Sequence, residues 1–307
     1  MPEAVLLIGR GLQFASAMIL FGAPLFGLYA LGGERLGARL IRAMVLAATV
    51  VGFSSAVLVL MGQAASMSGV TGDLLRPSAW AEVLAATQFG RAWVLRLGLL
   101  AGMGVAASRR SSLWTYQPMA GLGTLLAVSL VWMGHGAADD GAAGLVHQIA
   151  DMIHLLAAGA WLGALAPLLI LVVWASLSHV AEVAATARRG LERFSGMGTA
   201  AVAVLVASGL VNGWFLIGRA FPGGLIATTY GLVLSAKLAL FVVMLGLAAL
   251  HRWRGTPRLA RALDLGESPA RALRRLGLGL VLETLLAIGV LTLVAWLGLL
   301  QPPIVGD

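Results

Sequence analysis

Eight apolar stretches recur along this chain, near residues 5–31, 40–62, 89–107, 118–134, 147–174, 194–217, 228–251 and 276–300. Each is long enough to cross about 30 Å of hydrocarbon as a helix. Within a bilayer every backbone N–H and C=O must find its partner inside the protein, which leaves helices or a closed barrel. Runs of this length select helices. The expected fold is an all-α integral membrane protein, a bundle of eight transmembrane helices forming one polytopic domain over 1–307. A hydrophobic content of 60%, a charged content of 11% and a mean hydropathy of +0.93 agree with a chain whose solvent is the lipid bilayer.

The formal charge of +8 raises the question of nucleic acid, and the position of the arginines answers it. Fifteen basic residues fall in one set of loops: Arg35, Arg39, Arg42, Arg109, Arg110, Arg188, Arg189, Arg193, Arg252, Arg254, Arg258, Arg261, Arg271, Arg274 and Arg275. The opposite set holds three, Arg76, Arg91 and Arg219. Such asymmetry is a topology signal that puts the arginine loops in the cytoplasm and, with an even number of spans, both termini in the periplasm. No nucleic-acid partner is expected. The arginine-rich 252–275 segment reads as a helical cytoplasmic hairpin near anionic lipid. Outside, Ser78 followed by Trp80, Val83 and Leu84 suggests a short surface helix.

Cysteine is absent, so disulfides and thiolate metal sites are excluded and His, Met and carboxylate are the remaining ligands. The single lysine, Lys237, stands between Ala236 and Leu238, so the chain has no phosphate-binding G-x-x-x-x-G-K motif. Neither a nucleotide-driven engine nor an enzymatic activity is expected. The first apolar run continues past signal-peptide length, so no cleavable leader is expected.

Against this apolar background the fifth span carries His147, Asp151, His154 and Trp161. At about 100° per residue, their spacing confines all four to an arc of roughly 80°. At 1.5 Å per residue, His154 lies about 10 Å below His147 and Trp161 about 20 Å below it. A polar column descending into a bilayer is costly and points to function, although a histidine bonded to a neighbouring helix would look the same. Asp151 either fixes an imidazole tautomer or pairs with Arg96, expected at similar depth in the third span. His135 ends the fourth span, which brings a third histidine to the same outer mouth with Met133 and Met152 close in sequence. Imidazole and thioether suit copper, while zinc and nickel also accept histidine. Lys237 and Glu283, in the last two spans, suggest a neutralising pair. His179 and His251 lie at cytoplasmic ends beside loop charges and read as interfacial. Gly159-x-x-x-Gly163 permits close helix approach around Trp161, which either packs or lines the column.

In order along the chain, these residues resemble the copper-resistance protein D (CopD) family of bacterial inner-membrane proteins. The likeness runs through Thr87-x-Phe89-Gly90-x-x-Trp93-x-x-Arg96, Gly134-His135-Gly136, and His154 followed by Ala157-Ala158-Gly159-Ala160-Trp161-Leu162-Gly163. It continues through Arg193-Phe194-Ser195, Ser208-Gly209-Leu210-Val211-Asn212 and Thr229-Tyr230-Gly231 ahead of Lys237, then Glu283 and Pro302. The resemblance implies eight spans that move copper, Cu(I) or Cu(II), from periplasm to cytoplasm, supplied by a periplasmic copper carrier protein. Carried over, the metal ligands are His135, His147 and His154. Two alternatives stay open: a haem b electron-transfer protein using His135 or His251 with His154, and a copper sensor or assembly protein without transport. A homo-oligomer also stays open.

Overall fold

The structure, a computed structural model, describes residues 2–32, 34–109, 113–133, 141–178, 180–218, 225 and 227–303, without the side chains of 113–115 and 133. Among the described residues the fold is all-helical, with no strand. Seven helical segments are long and apolar enough to cross a membrane. They comprise α1 (Pro2–Phe26, prolonged by a π-helical turn to Leu31), α2 (Arg35–Ser68), α4 (Gln88–Ser108), α6 (Gly141–Ser178) and α7 (Ala181–Leu216). The last two are α8 (Thr229–Leu250), which runs on through a π-helical turn His251–Gly255 into α9 (Thr256–Asp264), and α10 (Ala270–Leu297). The stretch expected as the fourth span is α5 (Leu113–Ser129), only 17 residues with Pro118 inside it, prolonged by a 3-10 turn Leu130–Met133.

Two expected boundaries move. α6 and α7 have 38 and 36 residues, roughly 57 and 54 Å at 1.5 Å per residue, so both project well beyond the hydrocarbon. The 175–193 segment, expected as a loop, is therefore nearly all helix. Its arginines are held across helices: Arg189 donates to Glu34 at 2.6 Å, and Arg188 reaches Glu192 and Asp264. The short helix expected after Ser78 exists as α3 (Pro77–Ala86), but it starts with Pro77 at its first turn rather than with a Ser78 cap.

Two recurring Thr motifs are helix starts. The Thr87 hydroxyl accepts from the Gly90 N–H at 3.0 Å, and the Thr228 hydroxyl accepts from the Gly231 N–H at 3.0 Å. Without these caps two orphan donors would be left at helix ends.

The bundle is organised around α1, which packs against α2, α5, α6 and α10. Its crossing with α6 is backbone on backbone. A Cβ on Gly163 would stand 2.7 Å from the Gly22 Cα and collide with the Met18 carbonyl, and one on Gly22 would lie 2.6 Å from the Gly163 Cα. The small residues of the G-x-x-x-G pattern thus serve the close approach expected of them. Around this core the outward faces are apolar: Leu177, Leu210 and Trp214 are each more than 70% exposed. An apolar exterior of this extent is stable only when lipid covers it.

Candidate functional site

All four residues of the α6 column, His147, Asp151, His154 and Trp161, line one cavity of about 250 Å³. α7 runs back antiparallel to α6 and answers three of them from one face. Ser208 bonds His154, Asn212 bonds Asp151, and Phe215 stacks on His147. The steps between the α7 residues mirror those between the α6 residues, so one antiparallel register supplies all three contacts.

His154 is the most informative. Its Nδ1 lies 3.0 Å from the Ser208 hydroxyl oxygen, and that hydroxyl donates its only proton to the Val204 carbonyl at 2.6 Å. With that proton on Val204, the oxygen is free to accept from the imidazole, the arrangement in which neutral His154 carries its proton on Nδ1. Nε2 keeps its lone pair, the arrangement a metal-ligating histidine needs. The sequence offered Asp151 as one possible partner of an imidazole; in the structure the partner of His154 Nδ1 is Ser208.

Asp151 receives the Asn212 side-chain N–H on Oδ1 at 3.2 Å. Asn212 Oδ1, also facing this site, is buried with no hydrogen-bond partner among the described residues. His147 is only 3% exposed, its ring stacked on Phe215 at a centroid distance of 4.7 Å and an interplanar angle of 4°. Its ring is therefore packed where α6 meets α7. Trp161, 1% exposed, lines the cavity with its ring edge-on to Phe241.

Two expected ion pairs do not form. Arg96 donates through Nε to the Ser129 hydroxyl at 3.0 Å, and its guanidinium also bonds the Ser129 carbonyl, not Asp151. The reason is packing: α4, which carries Arg96, lies against α2 and α5, whereas α6 lies against α1, α7 and α10. Lys237 and Glu283 are also apart. Lys237 lines the outer cavity within electrostatic range of Asp151, while Glu283 accepts from His251 at 3.1 Å. α8 and α10 run antiparallel with His251 beside Glu283. Moving back fourteen residues to Lys237 therefore moves forward along α10 to Leu297, which lines the outer cavity as well.

His251, read from the sequence as interfacial beside loop charges, has a specific partner in Glu283. It sits in a second cavity, of about 350 Å³, whose lining includes Glu283, Arg252 and Trp161. Since His154 and His251 open into different cavities, they do not face one iron, and that haem pairing is not formed. Met152 lies outside the lining of the outer cavity, because its position is about 140° around α6 from His147. Met18 and Met244, both buried, line the cavity instead. No sequence signal distinguished them from packing methionines. His135 and His179 lie outside the described residues, as does the side chain of Met133. Among the described residues no three His, Asp or Glu side chains converge as a ready-made metal cluster.

Known sequences bear on this geometry. The family profile described as copper resistance protein D-like, N-terminal domain, matches residues 1–145, and that of copper resistance protein D matches 188–297. The chain is 35% identical over 308 residues to copper resistance protein D of Pseudomonas syringae pv. tomato, covering 98% of each. It is 31% identical over 258 residues to inner membrane protein YebZ of Escherichia coli K12, covering 83% of this chain and 86% of that one. Copper transport protein CutJ of Bacillus subtilis 168 is 32% identical over 196 residues, 61% of this chain and 34% of CutJ. No solved structure matches. With the two profiles covering most of its length and a relative alike from end to end, the chain belongs to the copper resistance protein D family.

Proposed function

We propose that this multi-pass inner-membrane protein carries copper from the periplasm toward the cytoplasm through the α6–α7 cavity. The observation that carries the reading is the His154–Ser208–Val204 chain of hydrogen bonds, which leaves His154 Nε2 available inside a buried cavity. Relatives named for copper resistance and copper transport supply the identity of the ion. Imidazole suits either oxidation state, and thioether favours Cu(I).

In this reading α5 with its 3-10 turn completes eight spans within one polytopic domain. The arginine asymmetry then puts both termini and the α6–α7 cavity toward the periplasm. His135 and His147 meet the ion at the mouth, with Met133 as a soft helper, after a periplasmic carrier protein delivers it. His154 takes it about 10 Å deeper. Asp151 offsets the ion's charge, and Lys237 balances Asp151 when no ion is present. Sites in series suit transport, because each accepts the ion and still releases it to the next. Trp161 stands as the closure.

Cellular copper at matched expression tests the proposal. His154→Ala should abolish copper accumulation with the protein still folded in the membrane, whereas His179→Ala should change little. Wild-type accumulation by the His154 variant would remove this histidine from the route.

A further inference from the structure

The second cavity has a chemistry of its own. His251 opens the π-helical turn His251–Gly255, a break in helical regularity that often marks functional positions. Its Nδ1 lies 3.1 Å from Glu283 Oε2. Glu283 is 1% exposed, and its other oxygen, Oε1, is buried with no hydrogen-bond partner among the described residues. A carboxylate oxygen left bare in a buried site is expensive, and such groups call for explanation. The ring itself is held against α10 by the absence of a side chain at Gly279. A Cβ there would collide with Nε2 and lie 2.9 Å from Cε1.

Trp161 belongs to both cavities, so one indole separates the Asp151–His154 chamber from the His251–Glu283 chamber. On the inner side the guanidinium of Arg252 is tied back to α7, donating to the Ser195 carbonyl at 2.6 Å and to the Thr199 hydroxyl. That anchoring leaves Glu283 as the bare anion of the chamber.

We propose that His251 and Glu283 form a second copper site on the cytoplasmic side of Trp161, which receives the ion after it leaves His154. This rests on the copper-transport reading. The geometry suits one shared ion. Nitrogen and oxygen donors each about 2.0–2.1 Å from a first-row metal stand about 3.1 Å apart when they subtend an angle near 100°. The observed His251–Glu283 separation is 3.1 Å, so the two donor atoms already stand as far apart as a shared ion requires; the ion lies to one side of the line between them, reached by rotation of the side chains as His251 Nδ1 gives up its proton to solvent in the cavity.

The test is copper stoichiometry of the purified full chain, titrated with Cu(I) and with Cu(II) against a chromophoric chelator. Glu283→Gln and His251→Gln should each bind one ion per chain fewer than wild type while retaining the ion that depends on His154. Gly279→Ala keeps both donors and crowds only ring atoms of His251, so it tests the site even if the other variants do not fold. It should weaken the inner ion at least about tenfold at unchanged thermal stability. Wild-type stoichiometry and affinity in the folded variants would overturn the inner site and leave the outer reading standing. A wild-type protein that binds no copper in either oxidation state overturns both.

Discussion

Ser208→Ala isolates the claim that His154 is a ligand rather than a packed histidine. The Ser208 hydroxyl, on a residue 6% exposed, accepts the His154 Nδ1 proton at 3.0 Å while spending its own proton on Val204. Alanine removes that acceptor and frees the imidazole to rotate or to exchange its tautomer, so Nε2 is no longer held ready. Loss of such an orienting partner costs a metal site about 10–100-fold in affinity, equivalent to about 1.4–2.7 kcal/mol. Serine to alanine inside a helix is favourable by propensity, so α7 should stay intact. Ser208→Thr restores the hydroxyl and should recover most of the affinity. The assay is competition for Cu(I) against a chromophoric chelator, with thermal melting in detergent as the control for fold. If Ser208→Ala binds as tightly as wild type while His154→Ala loses the ion, the orienting role is wrong. Weakening by the threonine variant with none in the alanine variant would point to crowding instead of hydrogen bonding.

The α1–α6 crossing should be sensitive to one methyl group. Gly163→Ala puts a Cβ 2.7 Å from the Gly22 Cα with backbone on both sides, which should cost about 1–3 kcal/mol and lower the melting temperature; an unchanged melt would contradict the observed contact. For the topology, reporters fused in the 175–193 and 252–275 segments should both report cytoplasm, and a periplasmic signal from either would break the eight-span orientation.

How much of this was legible in one sequence depends on whether a feature lies within a helix or between helices. The α6 column follows from periodicity alone, and the structure confirms that His147, Asp151, His154 and Trp161 share a cavity wall. The close approach at Gly163 follows from residue size, and so does the lipid-facing surface from composition. What was misread depends on inter-helix register. Ser208 and Asn212 were visible as residues, yet nothing in the chain says that they stand opposite His154 and Asp151. Arg96 was read as a possible partner of Asp151, but it sits on a helix that faces α5 rather than α6. Met152 shows the converse error, because nearness in sequence to His147 places it on another face.

Lys237 and Glu283 carry the largest consequence of that limit. Read as opposite charges in neighbouring spans, they suggested neutralisation and therefore an inert pair. The antiparallel register of α8 and α10 separates them by the depth of the bundle and gives each a histidine-containing chamber: Lys237 beside Asp151 and His154, Glu283 beside His251. A buried pair that cancels is a structural expense with no further use. Two ionisable groups kept apart, each open to a cavity and with a single tryptophan between them, instead provide separate charge environments on either side of a barrier. Asp151 lines one chamber and Glu283 the other, so on the proposed route a cation that leaves one carboxylate meets a second beyond Trp161.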